Sequence, residues 1–266
     1  MGLHQGGTAP IAMPAGRDLG TVRDRSLWRR HAWLRVTTLV ATGTFLVLAA
    51  WNLAILLPQM IGLRASIGVD YTICMEAAGR WLNGGSFYLE HQLAGPYQQQ
   101  DGDIMYPPTM LWLFVPFRFL PAVLWWAIPT AVVAACIWRL RPAWWMWPVL
   151  AFILWYPRTQ TIYLYGNPSL WVVAAVAAAT KWRAASALVL LKPSLGPFAL
   201  FGARHRDWWI VLGLLALASL PLVGLWREYV RVVTNSDATL AYSYQDLPPV
   251  LAPLLAWLAR TRTDPR

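Results

Sequence analysis

VTTLVATGTFLVLAAWNLAILL, residues 36–57, carries no charged side chain. As a helix rising about 1.5 Å per residue it is roughly 33 Å long, enough to cross the ~30 Å hydrocarbon core of a bilayer. A signal-peptide core has only about 7–15 apolar residues, so this run is expected to be retained as a span. Arg23, Arg25, Arg29, Arg30 and Arg35 precede it. The positive-inside rule then puts the N-terminus in the cytoplasm and the far end of the run outside.

Composition points the same way. Hydrophobic residues make up 58% of the 266 and charged residues 13%, against about 45–50% and 25% in soluble domains. Further apolar runs follow at 110–120, 123–137, 144–156, 170–180, 184–201, 208–226 and 250–258, separated by Arg, Trp and Pro clusters. The sequence predicts an all-α fold: a polytopic transmembrane helical bundle in a cell (plasma) membrane. Residues 1–35 read as a disordered basic cytoplasmic tail, 36–260 as the membrane domain, and 261–266 as a basic C-terminal tail. Several of the later runs are shorter than the roughly 20 residues of a full crossing, and are expected to be half-helices or tilted hairpins buried in protein. Positive-inside counting over them conflicts. Arg139, Arg141, Lys181 and Arg183 favour one parity, Arg204, Arg206, Arg260 and Arg262 the other, which leaves the topology beyond the first loop open.

The net charge of +10 sits mostly at the ends of apolar runs. It forms no stripe interleaved with exposed aromatics, which argues against nucleic acid. Tryptophan pairs such as Trp125-Trp126, Trp144-Trp145 and Trp208-Trp209 suit the headgroup belt, where an indole keeps its N–H wet. Cys74 and Cys136 fall at different depths, so no disulfide is expected.

Residues 58–106 form the extracytoplasmic first loop, with Asp70, Glu76, Glu90, Asp101 and Asp103 against only Arg64 and Arg80. Within it, Ile73, Cys74, Ala77, Ala78 and Trp81 are spaced as one helix face, with Glu76 and Arg80 an i,i+4 pair on the other. This predicts a short surface helix over 70–82, stopped by Asn83-Gly84-Gly85. Tyr106-Pro107-Pro108 suits the entry of the next helix.

Few residues here can carry chemistry. Asp70 opens the loop helix, where it is either an N-cap or a carboxylate placed to take a proton from a hydroxyl. Lys192, in Leu190-Leu191-Lys192-Pro193, interrupts an apolar run. It either snorkels from a kinked helix or holds an anion such as a lipid phosphate in a cavity. Tyr165-Gly166-Asn167-Pro168 makes an ordinary turn or brings an amide to a ligand. Asp101 and Asp103 read as solvated loop before they read as ligands of a divalent cation. No His/Cys cluster, phosphate loop or nucleophilic triad can be made out, so neither metal nor cofactor is expected.

Taken together, Gly68-Val69-Asp70-Tyr71, Glu76-Ala77-Ala78, Trp81-Leu82-Asn83-Gly84-Gly85, Phe87-Tyr88, Tyr106-Pro107-Pro108, Pro116, Leu120-Pro121, Gly166-Asn167, Lys192-Pro193 and Gly196 resemble glycosyltransferase family 87. This is a family of polytopic enzymes related to polyprenol-phosphate-mannose-dependent α-mannosyltransferases. The resemblance implies transfer of a hexose, mannose first, from a polyprenyl-phosphate donor to the hydroxyl of a glycan or glycolipid acceptor, with inversion. It implies Asp70 as catalytic base and Lys192, Asn167, Tyr106, Tyr71 and Arg80 as substrate-binding residues, with Asp70 and Lys192 facing one cavity. The chain departs from the family at Asn167, where glutamine is usual, and in its shorter length, as in a truncated or divergent member. The alternative from another class is a non-catalytic membrane component, a transporter or partner subunit that retains the fold.

Overall fold

The computed structural model describes residues 32–62, 67–237 and 240–261. The expected disordered tail, up to residue 31, and the basic C-terminal tail from 262 lie outside the described residues, as do Arg64 and Arg262. The described chain is all-α. Its only extended pairings are the isolated bridges Tyr97 to Ser236 and Pro142 to Arg260.

The first apolar run becomes α1 (Ala32–Gly62), which packs along α6 (Trp147–Trp155) through Phe45, whose ring centroid lies 5.3 Å from Phe152 and 5.7 Å from Trp155. The loop helix becomes α2 (Val69–Leu82), which is more than a surface helix: Cys74, Met75, Ala77, Ala78 and Gly79 are buried, chiefly against α4 (Leu111–Phe119). It ends at Asn83 as the sequence predicts. A short α3 (Glu90–Ala94) follows in the loop. Pro108 opens a 3₁₀ turn into α4, and α5 (Val123–Leu140) runs on from there.

At the centre lies α8 (Ser169–Ala179), nine of whose eleven residues are buried. A helix apolar on every side belongs inside a bundle, and its small alanines let α5 and α11 (Leu247–Leu258) pack closely around it. It is joined to α7 (Pro157–Tyr165) by a 111° bend. The run 184–201 is not one helix. It forms two 3₁₀ segments, Arg183–Leu191 and Pro193–Gly202, that pack on each other and break at Lys192. Such long 3₁₀ stretches are uncommon and mark strained or functional backbone. Then come α9 (Arg206–Ser219), α10 (Val223–Asn235) and a 3₁₀ segment Leu240–Asp246 leading into α11. Three helical stretches, Ala32–Ile55, Val123–Leu140 and Arg206–Asn235, are long and apolar enough to cross a membrane, and the bent α7–α8 pair makes a fourth if it counts as one span.

Two tryptophans expected in a headgroup belt are core residues instead. Trp125 is fully buried and Trp208 nearly so. Their indole N–H groups donate to Gly166 O (2.7 Å) and Ala199 O (2.8 Å), so irregular backbone supplies the acceptors that water would otherwise provide. Cys74 and Cys136 are free thiols.

The α7–α8 bend depends on Gly166, whose φ is +66°. A β-carbon there would lie 2.6 Å from Trp126 Cζ2 and 3.0 Å from Tyr71 Cβ. Gly166→Ala is therefore expected to lower stability by about 1–3 kcal/mol, overpacking added to the left-handed backbone. Gly84→Ala is the control: Gly84 shares the conformation (φ +81°) but faces open space. It should lose only the backbone contribution, about 1 kcal/mol. Unfolding midpoints in the same micelle compare the two, and equal losses would contradict this packing.

Candidate functional site

The site is assembled where three irregular segments meet. Gly68 donates its N–H to Leu164 O (2.7 Å), pinning the start of α2 to the end of α7. Asp70 in the first turn of α2 thereby faces the α7–α8 turn. Its Oδ2 accepts from Asn167 Nδ2 at 2.6 Å. The helix cap position is Gly68, without a side-chain cap bond, so Asp70 is not serving as an N-cap. The other end of the Asn167 amide accepts the Ser169 N–H at 2.9 Å, which fixes the orientation of the amide between a donor and an acceptor.

Beyond Asn167 the polar chain continues inward. Ser169 Oγ donates to Asp246 Oδ2 at 2.6 Å. Lys192 Nζ donates to the same oxygen at 2.7 Å and to Ser169 Oγ at 2.6 Å. Arg158 Nε holds the other carboxylate oxygen, Oδ1, at 2.7 Å. Lys192 is 2% exposed and Asp246 is fully buried, and a buried charge is tolerable only when paired and hydrogen-bonded like this. The break between the two 3₁₀ segments is what brings Lys192 to Asp246, the last residue before α11.

Asp70, Asn167, Lys192 and Tyr106 line one cavity of about 350 Å³, with Arg158, Tyr165, Gln99, Asp103 and Gln245 adding polar groups. Of the residues the sequence singles out, those four come together here. Tyr71 lines no part of this cavity: its ring lies 5.6 Å from Trp125 and 5.3 Å from Trp126, and its hydroxyl donates to Phe117 O. Arg80 stands at the far end of α2, where Nη2 donates to Phe87 O. Asp103 pairs with His91 at 2.7 Å and accepts the Gln100 N–H, a loop-ordering role. Among the described residues no group of three His, Cys, Asp or Glu side chains could hold a metal ion.

Burial raises the Asp70 pKa above the usual aspartate range. The Asn167 hydrogen bond and the Arg158 and Lys192 charges pull it back in part, and Asp246 adds to the rise. Asp246 goes the other way. Burial opposes its ionisation, but the charge and hydrogen bond of Lys192, the Ser169 hydroxyl and the Arg158 charge outweigh that and hold it low. Two carboxyls pushed apart in this manner are suited to different tasks, one exchanging protons and one fixed as an anion. Cys74, one turn along from Asp70, also lines the cavity, but burial first and the Asp70 charge second push its thiol well up. A thiol shifted in that direction is disfavoured as a nucleophile.

Arg158, Ser169 and Asp246 are missing from the sequence reading. Arg158 follows Pro157 like an interfacial base, and Asp246 precedes Leu247-Pro248-Pro249 like an ordinary helix cap. Only the fold joins them to Lys192, whose charge is committed to Asp246. Arg158 has greater reach: it lines the 350 Å³ cavity and also an adjoining one of about 450 Å³ with Tyr156, Thr161, Tyr165 and Gln245. A separate apolar cavity of about 440 Å³ is lined by the chain neighbours Pro168 and Leu191 with Trp171, Leu113 and Leu188. Comparison of the chain with family models, with curated proteins and with solved structures finds no match in any of the three.

Proposed function

We propose that this chain is a polytopic membrane glycosyltransferase, similar to glycosyltransferase family 87, that moves a hexose such as mannose from a polyprenyl-phosphate carrier to an acceptor hydroxyl. The observation that carries the reading is that neighbouring residues line a polar and an apolar cavity. Asn167 and Lys192 face the polar one, while their chain neighbours Pro168 and Leu191 face the apolar one. An amphiphile with a sugar-phosphate head and a prenyl tail matches that pairing, because each part finds surface of its own polarity.

In this reaction the acceptor O–H gives its proton to the Asp70 carboxylate while the oxygen attacks the anomeric carbon from the face opposite the phosphate. The bond from that carbon to the phosphate oxygen breaks with inversion, and polyprenyl phosphate leaves with the electron pair. One carboxylate is sufficient for the chemistry. The sequence reading gives the phosphate to Lys192. Because Lys192 is neutralised by Asp246, Arg158 is the better partner for the leaving phosphate: it has a planar fork of donors, of which Nε alone is used on Asp246. Lys192 then acts through Asp246, holding Arg158 in place.

Orientation follows from the basic residues. Arg141, Arg183 and Arg260 meet at one end of the molecule, while at the site Arg158 and Lys192 are paired with Asp246, and His91 with Asp103. Residue 125 of α5 bonds to the site turn and residue 139 lies at the basic end, a separation of about 21 Å at 1.5 Å per residue. With the positive-inside rule, that cluster supports a cytoplasmic N-terminus and a cavity on the outer side of a plasma membrane, open to glycan or glycolipid acceptors.

The test is to reconstitute the protein with a synthetic polyprenyl-phosphate sugar and follow release of polyprenyl phosphate and the anomeric configuration of the product. Inverted product supports the reading, and retained configuration contradicts it. A finer expectation concerns Asn167. Its hydrogen bond lowers the Asp70 pKa, so Asn167→Ala should shift the acid limb of the kcat/KM profile to higher pH than in the wild type. The base must be ionised to work, so activity falls most on the acidic side. A limb left in place would separate Asp70 from the rate.

A further inference from the structure

The conflict in positive-inside counting disappears at the basic end of the fold. Because the chain turns back at Lys192-Pro193, Arg183 and Gly202 return to the same place. Gly202 backs directly onto the Arg183 carbonyl. Arg141 and Arg260 join them through Ala143 N–H to Ala259 O (2.8 Å) and through Thr261, whose N–H and hydroxyl both donate to Arg141 O. Arg141 is held at φ +44° by this contact, a conformation a non-glycine residue adopts only when its surroundings impose it.

Two guanidiniums at this end share one indole. Arg183 Cζ lies 4.8 Å from the Trp257 ring centroid and 4.2 Å from that of Phe201, and Arg260 Cζ lies 4.4 Å from Trp257. Each spends one N–H on a helix C-terminus, Arg183 on Ala179 O and Arg260 on Trp257 O. That capping explains one contact per arginine but not why two like charges are held together. Burial, and then the Arg260 charge, lower the Arg183 pKa. Among the described residues no carboxylate pairs with them: the ion pairs there are His91 with Asp103 and Asp246 with Arg158 and Lys192, all at the other end. Asp264, four residues beyond Arg260, lies outside the described residues. Around this end Trp138, Trp144, Trp145, Trp182 and Trp209 are exposed, the aromatic belt of a headgroup region.

We propose that Arg183 and Arg260, clamped on Trp257, bind the phosphodiester headgroup of an anionic phospholipid. The two guanidiniums clamped side by side supply the recognition, and the surrounding exposed indoles place them at headgroup depth rather than in open water. Arginine forks suit phosphate oxygens bidentately. The inference does not rest on the glycosyltransferase reading.

The experiment measures lipid binding by the full chain with phosphatidylglycerol and with phosphatidylcholine, by native mass spectrometry and in mixed vesicles. The unaltered protein should prefer phosphatidylglycerol. Arg183→Gln with Arg260→Gln should weaken that preference by roughly thirtyfold, at about 1 kcal/mol per basic side chain near an anionic surface. In the unaltered protein the preference should decline as salt rises, a reading that needs no variant to fold. Equal binding of the two lipids, a preference indifferent to salt, an unchanged double variant, or full displacement by inorganic phosphate would each overturn the proposal.

Discussion

Asp246→Asn should unfold at much lower denaturant than the wild type, with a loss of about 3–5 kcal/mol, the usual cost of stranding one member of a buried ion pair. Asp246 is fully buried and accepts from Lys192, Arg158 and Ser169 together. Asparagine keeps the shape but loses the charge, so Lys192, itself 2% exposed, is left as a buried cation without its counter-ion. The size of the effect comes from that stranded charge more than from the lost attraction. Asp246→Asn combined with Lys192→Met should accordingly regain part of the loss, because removing both charges removes the desolvation penalty as well. The pH dependence follows from the sign of the shift. Asp246 is held below the usual 3.8, so the stabilisation is fully present above that value and is lost as pH falls through the depressed pKa. The variant should lack this acid-driven loss. Reversible unfolding in mixed micelles over pH reads both features, and an unchanged midpoint in the single variant would contradict the buried-pair geometry.

Much of the helical framework is legible in the sequence, because length and periodicity act locally. The uncharged run of 36–57 becomes the greater part of α1, Asn83-Gly84-Gly85 ends α2, and Tyr106-Pro107-Pro108 leads through a 3₁₀ turn into α4. At 184–201 hydrophobicity is continuous, but Lys192-Pro193 removes a helix hydrogen bond and breaks the run as the sequence predicts; where the chain goes after that break is what local reading does not give. The reversal there is why counting charges along the sequence gives Arg183 and Arg260 opposite parities although both sit on Trp257. It also conceals the site. Lys192 and Asp246 are 54 residues apart and Asp70 and Asn167 are 97 apart, and no periodicity links such pairs. Trp125 and Trp208 illustrate a related limit. A tryptophan beside apolar sequence suits an interface or a core equally well, and only the free carbonyls of Gly166 and Ala199 decide between them.

Asp70→Asn should leave the fold in place and stop sugar transfer. The amide keeps the volume of the carboxyl, and Asp70 stands outside the Lys192–Asp246–Arg158 pairing that holds the interior together. Among the described residues its one direct hydrogen bond to a side chain comes from Asn167, so stability should change little beside Asp246→Asn. What the variant cannot do is accept a proton. Removing a positioned base costs about a hundredfold to ten-thousandfold in rate. The most direct measurement is therefore the initial rate of polyprenyl phosphate release by wild type and Asp70→Asn in the same vesicles, at a pH well above the raised Asp70 pKa, with matched unfolding midpoints. The account predicts release by the wild type and a loss of at least about a hundredfold in the variant; equal rates from two equally folded proteins would contradict it.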